Sequence, residues 1–391
     1  MTMNHYNVLY LEAGSSGQGG SFVSLLQLIS VFSNKKNHLH IILWNDSPYI
    51  PQYQALGASV LKIDNPIYSM KKAVIRTLYN LATRVLRRIY PSLLIQLELW
   101  LQYFCYRKIV SYAKQNSINL IHLNNQPMRN FIGFWAAKKL NLPALCHLRT
   151  LNGYGMTRAH IKFLNTLRCH MIAVSESAAI YWQQCGIPNE WITRIANPYQ
   201  GSLNQEKKSK KLGYSLVCIS RLAPRKGLMF LLEAFHELVQ IDSRFTLSII
   251  GDGELRGTLL QKVSSLKLMD HVKLLGYVHE ASQQLADYDV LVFVSEQEGF
   301  GRVILEGMSA GIPIVATNVA GVNEILQHRH NGLLIEYGEK QQFVQSVLSL
   351  YRDEAIRIKL LDNARQSIEM YFNMDLFYKK ISTLYDAVLV G

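Results

Sequence analysis

Two glutamates separated by seven residues are the clearest candidates for chemistry in this 391-residue chain. Glu298 follows the apolar run Leu291–Val294, which predicts a buried strand, and Glu306 lies within Arg302–Ala310, which has the spacing of a helix. The start of such a helix offers free N–H groups and a partial positive charge, which suit a diphosphate. A carboxylate accepts hydrogen bonds from neighbouring hydroxyl groups, which suits a ribose or a hexose. The pattern therefore predicts a nucleotide-sugar site.

The sequence around the two glutamates, residues 295–324, reads SEQEGFGRVILEGMSAGIPIVATNVAGVNE. It resembles the signature of retaining glycosyltransferases with the GT-B fold, usually called family 4 (glycosyl transferases group 1). The resemblance implies that Glu298 is a catalytic residue that contacts the donor sugar and that Glu306 contacts the ribose. It also implies donor contacts at the turn and the helix start, by Gly299, Phe300, Gly301, Arg302 and Val303. For the acidic pair alone, the alternative is an ordinary strand–helix unit with two solvated glutamates.

A second candidate segment, Ser220–Gly227, reads SRLAPRKG and lies between a predicted strand and a predicted helix. Ligands of open α/β folds bind at the carboxyl ends of strands, so Arg221 and Lys226 would lie at such an edge. Two cations there could hold a diphosphate leaving group through charge-assisted hydrogen bonds, so we assign Arg221 and Lys226 a catalytic role. The segment is similar to the family pattern G-R-x4-K-G, with Ser220 in place of the usual glycine. A solvated basic loop is the alternative for this segment considered alone.

The resemblance implies further donor contacts on turns that follow strands. Gly253 lies in a turn of the G-x-G type, and Tyr277 stands where the backbone holds the base in the family. The glycine-rich loop Gly14–Ser21 lacks the spacing of a dinucleotide fingerprint. In the family this loop approaches the donor phosphate and sugar, which implies contacts by Gly17, Gly19 and Gly20. A plain turn is the alternative at each place.

Three polar residues of the N-terminal half are further candidates. His147, near the end of the predicted strand Ala144–Leu148, matches a family position that contacts the donor sugar, and we assign it a catalytic role. Asn197 matches the family's asparagine before the linker, although Pro198 replaces the usual glycine. Asn197 and Asn125 are expected to be acceptor-binding or cleft residues. The alternative for a single histidine is a packed residue or a surface residue.

Composition limits the class of protein. The chain is 49% hydrophobic and 18% charged, as expected for a globular protein, and it is long enough for two domains. Its five cysteines are scattered without CxxC or Cys/His spacing, which argues against a disulfide framework and structural zinc and fits a reducing compartment. Neither a signal peptide nor a transmembrane helix is predicted. No metal and no cofactor is expected, because no D-x-D motif stands at a strand end.

The excess of positive over negative charge lies entirely in the first half of the chain. Residues 1–205 hold 20 Lys and Arg against 6 Asp and Glu, whereas the whole chain carries a net charge of +13. The stretch Met70–Tyr90 predicts a helix with basic residues on one side and apolar residues on the other. We expect helix 70–90 to contact an anionic membrane surface, which would make the protein cytoplasmic and peripheral on the inner face of the cell membrane. An ordinary surface helix is the alternative.

Alternating strands and helices predict two doubly wound α/β domains. The predicted strands are Asn7–Leu11, His38–Leu43, Ser59–Ile63, Leu120–Leu123, Ala144–Leu148 and Met171–Val174, and then Tyr214–Ile219, Phe245–Ile250, Val272–Leu275, Val290–Val294, Ile314–Ala316 and Gly332–Ile335. The resemblance implies the GT-B fold, two Rossmann-like domains facing a deep interdomain cleft. Residues 1–200 form the acceptor-binding domain, 201–212 the linker and 213–374 the donor-binding domain. The last helix, 375–391, is expected to pack on the first domain.

The resulting hypothesis is a retaining transferase. It would move a sugar from a UDP- or GDP-type donor to a hydroxyl of a glycan or lipid-linked acceptor in cell-surface polysaccharide or lipopolysaccharide synthesis. A sugar epimerase of the same fold and a glycoside-acting enzyme are the alternatives among enzymes. A basic nucleic-acid-binding protein is the alternative from another class, although the positive charge does not coincide with the nucleotide-like site. A non-catalytic partner subunit is the last alternative.

Overall fold

The computed structural model describes residues 5–13, 19–33, 37–64, 89–152, 156–167, 169–199 and 214–390. The chain divides into two compact units. The N-terminal unit comprises Met1–Pro198 together with Met374–Gly391, and the C-terminal unit comprises Tyr199–Asn373. The predicted linker, the residue Gly17 and most of the predicted helix 70–90 lie outside the described residues.

The N-terminal unit is built on a seven-stranded parallel sheet with the order β3-β2-β1-β4-β5-β6-β7. Its strands are β1 (Asn7–Glu12), β2 (His38–Leu43), β3 (Ser59–Lys62), β4 (Leu120–Leu123), β5 (Ala144–Leu148), β6 (Cys169–Ala173) and β7 (Ile192–Arg194). The six strands predicted for this half are confirmed to within two residues. The edge strand β7 was not predicted, because three residues are too few to show a strand pattern.

Helices pack against this sheet and form the hydrophobic core of the unit together with the strands. They are α1 (Gly20–Ser33), α2 (Ile50–Ala55), α3 (Pro91–Leu101), α4 (Tyr103–Gln115), α5 (Phe131–Leu140), α6 (Arg158–Leu164) and α7 (Glu176–Gln184). The strands β4 and β5 are buried at every residue, as expected for parallel strands covered on both faces. Strand order reverses direction between β1 and β4, so the carboxyl ends of these two strands form the switch point where ligands of such sheets bind.

The C-terminal unit is built on a six-stranded parallel sheet with the order β10-β9-β8-β11-β12-β13. Its strands are β8 (Ser215–Ile219), β9 (Thr246–Ile250), β10 (Val272–Gly276), β11 (Val290–Phe293), β12 (Ile314–Thr317) and β13 (Leu333–Ile335). Its helices are α8 (Leu228–Ile241), α9 (Arg256–Ser265), α10 (Arg302–Ala310), α11 (Lys340–Arg352) and α12 (Glu354–Tyr371). The predicted strands and the predicted helix Arg302–Ala310 are confirmed. Here the switch point lies between β8 and β11.

The final helix, α13 (Met374–Val390), belongs to the N-terminal unit. It contributes Phe377, Ile381 and Tyr385 to the buried core of that unit. The ring of Tyr385 stacks on Phe32 of α1 with ring centroids 5.1 Å apart. The apolar face of α13 therefore explains why the chain returns to its first unit. Within the described residues, every helix is too short or too polar to cross a bilayer.

Candidate active site

Two loops meet at the switch point of the C-terminal sheet, one after β8 and one after β11. The backbone N–H of Glu296 donates to the carbonyl oxygen of Arg225 at 2.9 Å. Gly227 has a φ of +66°, and a Cβ at this position would lie 1.9 Å from the carbonyl oxygen of Val294. Only glycine permits this approach, because any side chain would push the basic loop away from the end of β11. The loops that carry the predicted cations and the predicted Glu298 are thus fixed against each other.

Lys226 and Glu298 form an ion pair between these two loops. Both side chains are about four-fifths buried, with 18% and 19% exposed. The Oε1 atom of Glu298 also accepts a hydrogen bond from the N–H of Gly299 at 3.0 Å. The Lys226 ammonium lies 5.5 Å from the centroid of the Phe293 ring. The structure therefore brings together two of the predicted catalytic residues, one cation and one carboxylate.

Arg221 lies on the same basic loop and is exposed. Among the described residues, no carboxylate lies within ion-pair distance of its guanidinium group. Its neighbour Ser220, which replaces the glycine of the family pattern, is not one of the residues with a positive φ. A side chain is therefore tolerated at position 220.

The turn at Gly253 supports the basic loop. Leu222 donates its N–H to the carbonyl oxygen of Asp252 at 3.0 Å. A Cβ on Gly253 would lie 2.4 Å from the carbonyl oxygen of Leu222, and a Cβ on Gly251 would lie 1.9 Å from that of Ser220. The glycines of this turn thus allow two backbone segments to pack closely, which is a positioning role for the predicted site residue Gly253.

The helix α10 begins directly after the turn that carries Glu298. Gly301 precedes its first residue in the left-handed conformation, with a φ of +79°. Glu306, one turn into the helix, is 9% exposed and forms an ion pair with Arg302 four residues earlier. A Cβ on Gly321 would lie 2.6 Å from the carbonyl oxygen of Glu298, so the loop after β12 packs on the same turn. Both predicted glutamates are therefore held beside a cation.

The remaining predicted donor residues differ in their surroundings. Phe300 is 5% exposed, and its ring packs edge-on against Phe372 at 6.2 Å, so its side chain is part of the packing of the unit. Tyr277 follows β10 and is 47% exposed. Val303 is half-buried in the first turn of α10.

A buried polar network lies at the switch point of the N-terminal unit. Glu12, at the end of β1, is 1% exposed and accepts hydrogen bonds from the side-chain amides of Asn124 and Asn125. Arg149, just after β5, donates to the side-chain oxygens of Asn124 at 2.7 Å and Asn197 at 2.6 Å. The network thus connects the predicted residues Asn125 and Asn197. Sequence reasoning missed its other members, although each of them stands at or just after the end of a strand.

His147 is fully buried at the end of β5. Its Nδ1 atom lies 2.8 Å from Nε2 of His122 on β4. Burial lowers the pKa of His122 to about 3, and it holds the pKa of His147 well below its ordinary value; the nearby Arg149 charge adds to both effects. Both imidazoles are therefore neutral near pH 7. Of the remaining predicted residues, Gly19 has a φ of +106° and Gly20 begins α1.

The two depressed pKa values predict a loss of stability in acid. The unfolded chain binds a proton at each histidine below about pH 6.5, whereas the folded chain does not, so the free energy of unfolding falls as the pH falls below that value. By pH 5, His122 alone should cost on the order of 2 kcal/mol. The urea midpoint measured at pH 7 and at pH 5 tests this expectation. His122→Gln should flatten the dependence, and an unchanged pH slope in this variant would contradict the assignment.

Among the described residues, no group of three or more His, Cys, Asp or Glu side chains is placed to hold a metal ion. The expectation that the reaction needs no metal and no cofactor stays a prediction.

The chain is similar to known glycosyltransferases. Residues 213–353 match the family described as Glycosyl transferases group 1. The chain is 27% identical over 300 residues to N-acetyl-α-D-glucosaminyl L-malate synthase of Bacillus anthracis, a match that covers 72% of this chain and 78% of that protein. It is 29% identical over 187 residues to the UDP-Gal:α-D-GlcNAc-diphosphoundecaprenol α-1,3-galactosyltransferase of Escherichia coli, covering 46% of this chain and 48% of that protein.

The fold is similar to that of solved structures. The structure of Anabaena HepE in complex with UDP and glucose matches with a TM-score of 0.77 at 21% identity and covers 98% of this chain and all of that chain. The lipopolysaccharide outer core galactosyltransferase WaaB in its apo form matches with a TM-score of 0.69 at 18% identity, covering 98% and 99% of the two chains.

The similarity to these relatives identifies the chain as a glycosyltransferase, and its two Rossmann-like α/β units confirm the predicted GT-B fold class. The match to Glycosyl transferases group 1 lies within the C-terminal unit.

Proposed function

We propose that this glycosyltransferase moves a sugar from a nucleoside diphosphate to an acceptor hydroxyl with retention of the anomeric configuration. The observation that carries the proposal is the contact between Lys226 and Glu298 at the switch point of the C-terminal sheet, beside the exposed Arg221. The cations and the N-terminus of α10 suit the diphosphate of a nucleotide sugar. The carboxylates of Glu298 and Glu306 suit its sugar rings. We propose a UDP- or GDP-type donor, and the UDP bound to HepE and the UDP-Gal in the name of the E. coli relative support UDP.

The ion pairs suggest how the donor would be bound. In the free protein, Glu298 neutralises the Lys226 ammonium. A diphosphate would take over Lys226 and bind Arg221, since phosphate oxygens carry more charge than a single carboxylate. Glu298 would then be released to accept hydrogen bonds from the sugar hydroxyls. Glu306, held by Arg302, would accept hydrogen bonds from the ribose.

In the chemical step, the bond between the anomeric carbon and the diphosphate oxygen breaks. Negative charge grows on the leaving diphosphate, so Arg221 and Lys226 bind it more strongly in the transition state than in the ground state. We propose that the acceptor attacks on the face from which the diphosphate leaves. A phosphate oxygen would then take the acceptor proton, and no protein base is needed. From the N-terminal unit we propose contacts to the donor by His147 and by Gly17, Gly19 and Gly20.

Two measurements test this function. A screen of nucleotide sugars by thermal shift and by hydrolysis should identify one base and one sugar that stabilise the protein. Product NMR with that donor should then show the anomeric configuration of the donor retained in the product. An inverted product would contradict retention. Sugar release from a simple glycoside without any nucleotide would favour a hydrolase instead.

We propose an acceptor from cell-surface glycan synthesis. Relatives named for lipopolysaccharide core synthesis in Rhizobium meliloti and capsular polysaccharide synthesis in Staphylococcus aureus support this pathway class. The name of the E. coli relative specifies an acceptor linked to diphosphoundecaprenol, which is a membrane lipid. A lipid-linked acceptor would require the enzyme to work at a membrane surface, on its cytoplasmic face.

Exposed aromatic side chains on the N-terminal unit support contact with a membrane. Trp100 at the end of α3 is 73% exposed and Phe104 at the start of α4 is 80% exposed. The exposed cations Arg107 and Lys108 follow one turn later. Aromatic rings beside cations suit the interface of an anionic bilayer. We therefore propose peripheral binding through this basic unit, with helix 70–90 as a further candidate.

Replacing Trp100 and Phe104 together by alanine should weaken binding to vesicles that contain anionic lipid by about tenfold or more, because two inserted rings are lost. Sedimentation with anionic and with zwitterionic vesicles measures the effect. The matched control replaces two exposed apolar residues of the C-terminal unit, Ile241 and Met269, which are 56% and 63% exposed. Equal binding by the two double variants would contradict the proposed surface.

A further inference from the structure

The loop that follows β13 reaches the basic loop Ser220–Gly227 of the candidate site. It contains a tight turn, in which the backbone N–H of Glu339 donates to the carbonyl oxygen of Glu336 at 3.2 Å. Gly338, at the third position of this turn, has a φ of +94°, which is typical of a type II turn. Tyr337 stands at the second position. The turn therefore places the side chain of Tyr337 at the tip of the loop.

Tyr337 contacts both loops that meet at the switch point of the C-terminal sheet. Its hydroxyl donates to the Oε1 atom of Glu296, on the loop after β11, at 2.6 Å. Its ring atom Cε2 lies 3.0 Å from the position that a Cβ on Gly227 would occupy, so the ring fills the space beside the end of the basic loop. The ring also packs against Phe230 of α8, with the ring centroids 5.3 Å apart. A residue from a third loop thus touches the other two loops together.

Glu296 is also bonded to the basic loop. Its backbone N–H donates to the carbonyl oxygen of Arg225, the residue that precedes Lys226. The loop after β13 therefore holds the side chain of Glu296, and the basic loop holds its main chain. Partial burial and the hydrogen bond to the Glu296 carboxylate raise the pKa of Tyr337 to about 12, so its hydroxyl remains a donor at neutral pH.

Binding of the donor would remove one link between the basic loop and the loop after β11. The ion pair of Lys226 with Glu298 joins these loops in the free protein, and a diphosphate that binds Lys226 would break it. The hydrogen bond between Tyr337 and Glu296 involves neither of these side chains, so donor binding leaves it intact. The backbone of the basic loop thus keeps an anchor that does not depend on the side chain of Lys226.

We propose that Tyr337 positions Lys226 for the diphosphate by holding Glu296 against the basic loop. The inference rests on the proposed function, because it takes a nucleoside diphosphate as the ligand of Lys226. Tyr337 is a positioning residue, since it acts through Glu296 and the backbone of the basic loop. The loop after β13 thereby becomes part of the donor site, although β13 lies two strands away from β11 in the sheet.

Tyr337→Phe removes the hydroxyl and keeps the ring. Calorimetric titration with the nucleoside diphosphate should show a two- to tenfold higher dissociation constant, about the effect of one hydrogen bond. Glu296→Gln keeps an acceptor oxygen for the Tyr337 hydroxyl and should leave the dissociation constant equal or lower. Tyr6→Phe is the matched control, because the Tyr6 hydroxyl donates to the carboxylate of Asp386 at the same distance of 2.6 Å in the other unit. It should leave the dissociation constant unchanged.

Lys226→Ala separates a positioning role from a general loss of structure. If Tyr337 acts through Lys226, Tyr337→Phe should cause no further loss of diphosphate affinity in the Lys226→Ala background. Additive losses in the double variant would overturn the proposal. Equal losses in Tyr337→Phe and Tyr6→Phe would also overturn it, as would a loss in Glu296→Gln as large as that in Tyr337→Phe.

Hydrogen exchange of the full-length protein tests the anchor without any nucleotide. The Glu296 amide donates the backbone bond between the two loops, so its exchange should become several-fold faster in Tyr337→Phe and stay unchanged in Tyr6→Phe. Unchanged exchange of this amide in Tyr337→Phe would overturn the role of Tyr337. Absence of nucleoside diphosphate binding by the wild-type protein would instead contradict the proposed function, while the exchange rates would still decide whether Tyr337 holds the two loops together.

Discussion

Replacing Lys226 by alanine is expected to lower kcat/KM for the nucleotide sugar by about a hundred- to a thousandfold, because a cation that stabilises the departing diphosphate is lost. The loss should fall mainly on kcat, since negative charge on the diphosphate grows as the glycosidic bond breaks. Release of the nucleoside diphosphate from the preferred donor, followed with and without acceptor, measures it.

Lys262 provides a matched control for this variant. It forms an ion pair with Glu233 at 2.6 Å in the same unit and lies on α9, away from the two loops of the candidate site. Lys262→Ala removes a lysine and breaks an ion pair of the same type. It should leave kcat/KM within about twofold of the wild-type value, because a partly exposed ion pair contributes little. Equal losses in the two variants would mean that Lys226 acts only on stability.

Glu298→Gln is expected to separate binding of the sugar from binding of the diphosphate. The amide keeps the shape of the side chain but loses the charge that pairs with Lys226 and accepts strong hydrogen bonds from the sugar. Turnover should fall by about a hundredfold or more. Affinity for the nucleoside diphosphate without the sugar should stay equal or rise, since Lys226 is no longer neutralised.

Calorimetric titration with the nucleoside diphosphate and turnover assays with the complete donor measure the two effects. Glu233→Gln, which removes the charge that pairs with Lys262, is the control and should change neither quantity. A parallel loss of diphosphate affinity and turnover in Glu298→Gln would contradict the proposed division of roles.

The strands and the two loops of the C-terminal unit could be predicted because their signals are local. Apolar runs mark the buried strands, and glycines mark the turns that follow them. The nine residues Arg302–Ala310, which include Glu306, have helical spacing, and the structure confirms a helix there. The ion pair between Lys226 and Glu298 could not be predicted from spacing, since it depends on β8 and β11 being neighbours in the sheet.

The polar groups of the N-terminal unit could be predicted only in part, because they come from distant parts of the chain. Glu12 meets Asn124 and Asn125 only because β4 pairs with β1, more than a hundred residues away. Tyr385 reaches His122 from the last helix, across 263 residues of sequence. His147 was selected through its family position, whereas His122, whose ring lies within hydrogen-bond distance of His147, carries no sequence pattern. Long-range contacts of this kind are visible only once the strand order is known.

Calorimetric titration of the preferred nucleotide sugar into the wild-type protein and into a variant with alanine at Arg221, Lys226, Glu298 and Glu306 tests the central claim most directly. We predict measurable binding to the wild-type protein and none to a variant that remains folded by circular dichroism. Equal affinity of the two proteins would contradict a donor site built from these four side chains.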